Sequence, residues 1–258
     1  GLAFPAGVMA GEPREGRMLL WTLVNDERPL SLKVWLPDID AERPELVDML
    51  FDEAVSVEEA GTAHVEVQGL IPGRWHAYAF FLADDQGQLV ARSPVGHFTA
   101  APPAGALVRL TLSGTHGTHQ REAPYPALMT NAEFEPFTLY LHLGDSIYAD
   151  EAESLEDFRR MWIENWQTAG FRGVLADAVY LPVPDDHEIA NNYSGETIDP
   201  ARFAIGLQSL WEFNPLARVE GHPDRLWRSW RWGDTLELFA LDCRSERKPS
   251  TRDTPPAE

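Results

Sequence analysis

Cysteine is nearly missing from this sequence: Cys243 stands alone among 258 residues. One thiol cannot close a disulfide within the chain, and it cannot build a zinc site from cysteine ligands. Lysine is almost as scarce, with only Lys33 and Lys248. Basic residues number 21 against 41 acidic ones, a formal net charge of −20. That sign opposes binding to a nucleic-acid backbone, so no nucleic-acid partner is expected. The acid excess reads either as solubility or as carboxylates that hold hard cations such as calcium. No apolar run approaches the roughly 18 residues of a membrane span. The opening Gly1-Leu2-Ala3-Phe4-Pro5 lacks the charged and apolar regions of a signal peptide, which reads as a leader already removed or left out. Nucleotide loops of the Gly-x-Gly-x-x-Gly type and a Gly-x-Ser-x-Gly elbow are also missing, which disfavours nucleotide-dependent and serine-hydrolase chemistry.

What is present is a core. Apolar residues make up 44% and aromatics 10%, too rich a mixture for a disordered chain. The first 102 residues have a strand rhythm: Met18 to Val24, Leu32 to Leu36, His64 to Val67, Trp75 to Ala83 and Gly96 to Thr99, separated by turn residues such as Asp84-Asp85-Gln86-Gly87. Such spacing predicts a small β-sandwich over 1–102. Pro102-Pro103-Ala104-Gly105 reads as a stiff linker.

From 106 to 258 the rhythm is mixed. Apolar strands are predicted over Val108 to Leu112, Phe137 to Leu143 and Tyr180 to Val183. Helices are predicted within Tyr125 to Phe134 and over Leu155 to Trp166, Gly173 to Val179 and Ala201 to Phe213. Leu226 to Trp232 and Leu236 to Asp242, joined by Gly233-Asp234, read as a hairpin. Alternating strands and helices imply an α/β domain. The tail from Lys248 to Glu258 reads as a loop.

Four constellations carry possible chemistry. In Gly144-Asp145-Ser146-Ile147-Tyr148 an apolar strand delivers glycine and aspartate at its carboxyl end, where open α/β sheets bind ligands. There Asp145 can bridge cations, and a helical turn would bring Tyr148 back beside it; a capping Asp and a core Tyr are the equally open alternative. Asp185-Asp186-His187-Glu188, followed by Asn191-Asn192, crowds acids that a divalent cation would neutralise, with amide oxygens nearby; a solvated acidic loop is the alternative. Ser113 to His119 holds two histidines among small residues after a strand, a weaker pattern. Arg244 with Arg247 after Asp242 offers a fork for phosphate or a structural Asp–Arg pair.

Taken in order, these segments resemble the PhoD-like alkaline phosphatase family. Phe4 to Pro13 is similar to that family's start, Leu20-Trp21-Thr22 to its next strand, and Gly96 to Pro102 to the end of its small β-sandwich. Gly144-Asp145 with Tyr148, Asp185 to Glu188 with the asparagine pair, and Asp242, Arg244 and Arg247 resemble its catalytic motifs. The resemblance implies a fibronectin III-like β-sandwich followed by an α/β metallophosphoesterase-like sandwich, incomplete here. It also implies a secreted or periplasmic phosphoric ester hydrolase that attacks small phosphate esters with a metal-activated hydroxide. By the same likeness Fe3+ and Ca2+ are the cofactors, and Asp145, Tyr148, Asp186 and Asn191 are metal ligands. His187 and Arg244 would act at the phosphate. Two departures stand out. The family's cysteine ligand falls at Gly114, with His116 or His119 the nearest substitutes, so a catalytically degenerate binding protein on the same scaffold is the alternative. The family's late Asp/His motif has no counterpart after Arg247, so a C-terminal segment completing the domain is expected.

Overall fold

The computed structural model describes residues 2–37, 48–134 and 137–249. In chain order the strands are β1 (Val8–Arg14), β2 (Arg17–Leu23), β3 (Leu30–Leu36), β4 (Asp48–Val55), β5 (Thr62–Gln68), β6 (Trp75–Ala83), β7 (Leu89–Arg92), β8 (Gly96–Thr99), β9 (Leu112–Thr115), β10 (Leu139–His142), β11 (Val179–Pro182), β12 (Arg228–Trp232) and β13 (Leu236–Ala240). The helices are α1 (Pro126–Phe134), α2 (Leu155–Trp166), α3 (Ala169–Ala176) and α4 (Pro200–Glu212). A 3-10 turn covers Gln120–Glu122.

One sheet runs β5-β2-β1-β11-β10-β9. Its β9, β10 and β11 are parallel, and β1 joins β11 in parallel through Ala10 and Val179. Hydrogen bonding therefore continues from the N-terminal strands into the α/β layer. A second sheet, β4-β3-β6-β7 with β8 also on β6, lies over β1 and β2. Met9, Leu20 and Trp21 from the first sheet share one core with Tyr78, Phe80 and Phe98 from the second.

Helix α2 opens with a capping box in which Ser154 and Asp157 satisfy each other's free amides. It buries Phe158, Met161, Trp162 and Trp166 at helical spacing. Trp162 Nε1 donates to Ser209 Oγ on α4 (3.1 Å), and Trp166 Nε1 to the Phe213 carbonyl (2.8 Å). Each indole thus buries its ring without stranding its N–H. Helix α4 starts at Asp199, whose side chain accepts from the Arg202 amide, with Pro200 at the first position.

Two boundaries differ from the sequence expectation. The strand expected over Val108 to Leu112 begins only at Leu112, because the preceding backbone is held elsewhere: Val108 N–H donates to Thr235 Oγ1 (2.9 Å) and the Ala106 carbonyl accepts from Asp234 (2.8 Å). The helix expected over Gly173 to Val179 lies earlier, at Ala169–Ala176. Thr168 caps its start, and Val179 pairs with Leu139 in the sheet. Strands β1, β4 and β7 have no counterpart among the strands read from the sequence. The tail expected to be a loop lies, from residue 250 onward, outside the described residues.

Candidate active site

Parallel strands place their carboxyl ends side by side, and here three adjacent strands deliver the polar residues. His116 follows β9, Asp145 and Tyr148 follow β10, and Asp185 to Glu188 follow β11. The chain leaves β10 through Gly144 at φ +97°, where a Cβ would come within 2.4 Å of the Asp185 Cβ. Only glycine allows the two exits to approach this closely. Asp145 itself is held at φ 54°. No helical turn forms there, contrary to expectation; a bent loop does the same work, and Tyr148 Oη donates to Asp145 Oδ2 at 3.3 Å.

The loops are tied to one another before any ligand is considered. Buried Glu188 accepts from the Ser146 amide with one oxygen and from the Asp185 amide with the other (3.0 Å). Gln120 grips Tyr148 at both backbone positions, donating to its carbonyl and accepting from its amide, each at 3.1 Å. Arg202 on α4 donates to the carbonyls of Ala149 (2.7 Å), Asp150 (3.1 Å) and Ile189 (2.9 Å), pinning both loops to the helix. Asn165 on α2 donates to the carbonyls of Thr118 (3.2 Å) and Ser146.

Two groups of side chains have ligand atoms that all lie within 4.8 Å of one another: His116, Asp145 and Asp185, and Asp145, Asp186 and His187. Asp145 belongs to both. It is 6% exposed, and its Oδ1 is buried with no hydrogen-bond partner. Burial raises the Asp145 carboxyl, an effect that the nearby Asp185 and Asp186 reinforce and His187 opposes. Burial and the Asp145 charge push the Tyr148 phenol up to about 12. Glu188 is pushed up to about 7 by burial, against the pull of the amides it accepts from. For Asp185, burial works upward, but the hydrogen bond and charge of Arg244 hold the carboxyl below its usual range.

The sequence-expected residues are mostly brought together. Asp145, Tyr148, Asp186 and His187 converge at the strand exits. The Tyr148 ring lies between the imidazoles of His119 (centroids 4.6 Å, 15°) and His187 (4.2 Å, 32°). Arg244 reaches the cluster, but onto carboxylates: Nε donates to Asp185 and Nη2 lies 3.0 Å from Asp186 Oδ1. Asn191 is at the exposed rim and is tied by its amide, which donates to Asp150 Oδ1 at 2.8 Å. Gly114 sits inside β9 opposite Leu141, and a Cβ there would meet the Leu141 carbonyl at 3.1 Å.

Asp150 and Gln120 were not singled out by sequence. Asp150 Oδ2 takes His187 Nδ1 at 2.6 Å and so fixes the ring orientation. Its place two residues after Tyr148 in an acidic loop was the available signal. Gln120 acts through backbone contacts, for which a sequence carries none.

Comparisons with known proteins place the chain in a family and a fold. The family model described as PhoD-like phosphatase matches residues 112–258, and the one described as PhoD-like phosphatase, N-terminal domain, matches residues 1–102. Alkaline phosphatase D of Bacillus subtilis (strain 168) is 25% identical over 281 residues, covering 95% of this chain and 47% of that protein. A solved structure of PhoD superposes with a TM-score of 0.84 at 23% identity, over 97% of this chain and 54% of that one. A purple acid phosphatase from yellow lupin (Lupinus luteus) seeds shares the fold at a TM-score of 0.66 and 12% identity, over 93% of this chain and 46% of that one. The chain therefore spans about half the length of the relatives it matches. With the two family models together matching residues 1–102 and 112–258, the chain belongs to the PhoD-like phosphatase family.

Proposed function

We propose that the protein of which this chain is part is a metal-dependent phosphoric ester hydrolase acting on small phosphate esters. The observation that carries the reading is Asp145 Oδ1, a buried carboxylate oxygen with no protein partner, placed where two groups of potential ligands meet. A buried acceptor left unpaired costs about 1–3 kcal/mol or more, and a cation in contact with it offsets that cost. The net charge of −20 adds a second reason. Asp145, Asp185 and Asp186 would repel a phosphate ester unless cations reversed the local sign.

In this reading Asp145, Tyr148 and Asp186 would hold the metals, and Asn191 would offer a neutral amide oxygen from the rim. Fe3+ and Ca2+ are the metals we assign, which suits a set of carboxylate, phenol and amide oxygens. Bound metals would supply Lewis acidity and lower the pKa of water. His187, whose Nδ1–H donates to Asp150, has Nε2 left to face the phosphate, to which it would donate as the imidazolium. Arg244 neutralises Asp185 and Asp186 in the structure described and is positioned to turn part of its fork to a phosphate oxygen when cations take over those carboxylates.

We take the N-terminal strands as a fibronectin III-like sandwich and the remainder as the opening part of a metallophosphoesterase-like sandwich. Further polypeptide would complete it; exposed Leu112, Phe239 and Leu241 on the outer strands and their continuation support this. We assign the enzyme to a secreted or periplasmic location by its family. A second reading, a binding protein that has lost turnover, draws on Gly114 at the position where the resemblance expects a thiolate.

Hydrolysis of aryl phosphate mono- and diesters by the full-length protein tests the proposal. Activity is expected, abolished by chelation and by Asp145→Ala. Metal binding without turnover would favour the second reading, and turnover indifferent to both treatments would reject the metal mechanism.

A further inference from the structure

The exit of β9 carries a residue for which the proposed metal ligands leave a role. His116 lies on the loop after β9, and its Nε2 is 3.6 Å from Asp145 Oδ2. The atoms that His116, Asp145 and Asp185 present lie within 4.8 Å of one another, a separation a single cation can bridge with small side-chain adjustments. The loop is held in place by its backbone: Gly117 N–H donates to the Gly144 carbonyl (3.1 Å) and Thr118 N–H to the Asp145 carbonyl (2.9 Å). Gly117 has φ +67°, and a Cβ there would lie 3.4 Å from Tyr148 Oη, so the loop passes close over the phenol. The unpartnered Asp145 Oδ1, in a residue 94% buried on the same carboxylate, independently points to a missing cation.

His119, the other histidine of the segment, is placed differently. Its ring stacks on Tyr148, and its Nδ1 accepts from the Arg121 amide at 3.1 Å, capping the 3-10 turn. The two histidines therefore have separate tasks, one facing the carboxylates and the other supporting the phenol.

We infer that His116 is a direct metal ligand, supplying an imidazole nitrogen to the cation that Asp145 and Tyr148 approach from the β10 side. This rests on the metal-dependent reading above and extends it. A nitrogen donor in place of a thiolate gives a harder, wholly N/O ligand set at this corner. Such a set accepts Co2+, Zn2+ or Mn2+ as well as iron, and lacks the sulfur that favours soft metals.

Titration of the metal-free, full-length protein with Co2+, followed by calorimetry and by visible and X-ray absorption spectra, tests the assignment. Outer-shell changes cost about 10–100-fold in metal affinity, so loss of a direct ligand is expected to cost at least about 100-fold. His116→Ala and His116→Gln should both show that loss, with altered cobalt bands and one fewer imidazole nitrogen on the metal. His119→Ala should keep the imidazole count. Affinity and spectrum unchanged in the His116 variants would overturn the assignment while leaving the metal site intact. A wild-type spectrum without imidazole nitrogen would overturn it with no substitution needed. Failure of the wild-type protein to bind Co2+, Zn2+ or Mn2+ would overturn the assignment, and failure to bind iron and calcium as well would overturn the metal-dependent reading with it.

Discussion

At Asp145 the backbone takes a left-handed turn, the side chain is buried, and one oxygen has no partner. Asn and Asp tolerate that conformation better than other residues with a Cβ, yet burial of the carboxylate still disfavours it without a counter-charge. The neighbouring residues divide the remaining work. Asp150 holds His187, and on the hydrolase proposal its replacement by Ala in the full-length protein should leave folding intact and lower kcat for phosphate esters by about 10–100-fold; steady-state kinetics with circular dichroism as the folding control checks this. His142 behaves differently. It is fully buried between Thr118 Oγ1 (2.8 Å) and Ser146 Oγ (3.0 Å), and burial, helped by nearby His116, lowers its pKa to about 3 from an ordinary 6.5. The unfolded chain takes up this proton below about pH 6.5, and the folded chain only near 3. Stability should therefore fall as pH drops across that window, by roughly 4–5 kcal/mol at most, with no loss from this group above it. Urea midpoints between pH 7 and 4 should show the decline, and His142→Gln should flatten it.

At the scale of elements, α2 and α4 hold the site loops and are themselves held by buried indoles. Trp166 is fully buried and donates to the Phe213 carbonyl, so Trp166→Ala should cost about 3–5 kcal/mol in urea unfolding. Ser154→Ala removes one exposed cap and should cost only about 1 kcal/mol in the same assay. Helix α2 was legible in the sequence because an apolar face at helical spacing recurs through Leu155, Phe158, Met161, Trp162 and Trp166, and α4 was read to within a residue at each end, over Ala201 to Phe213. Strand β4 was not legible: Asp48, Asp52 and Glu53 interrupt it, and it lies at a sheet edge where one-sided burial leaves little alternation. The candidate site was legible at Asp145 and Asp185 to Glu188, where carboxylates end apolar strands. It was only partly so at Tyr148, where the expected helical turn proved to be a bent loop. Asp150 and Gln120 act on loop geometry set by tertiary contacts, and Val108 is drawn from its expected strand by the turn at Thr235, a partner 127 residues away. Local pattern carries no record of such contacts.

Across the whole molecule, the N-terminal strands and the late hairpin are joined by a buried ion pair. Glu12 at the end of β1 accepts from Arg228 on β12, from Trp230 Nε1 (3.3 Å) and from the Ala217 amide (3.4 Å), and both charged side chains are 6% exposed. Removing one partner strands the other, so Glu12→Ala or Arg228→Ala should destabilise by about 3–5 kcal/mol. Glu12→Leu with Arg228→Met should recover most of that loss, since an apolar pair of similar size needs no counter-charge; chemical denaturation of the single and double variants measures it. The same sheet that carries Glu12 aligns β11, β10 and β9, and so places the three acidic or imidazole-bearing exits at one edge. The central claim is that this edge is built to hold cations through Asp145. Elemental analysis of full-length protein, purified without chelator, tests it most directly. The account predicts about two metal ions per chain in the wild type and loss of most of them in Asp145→Ala. Equal metal content in the two proteins, or none in the wild type after dialysis against the candidate cations, would contradict it.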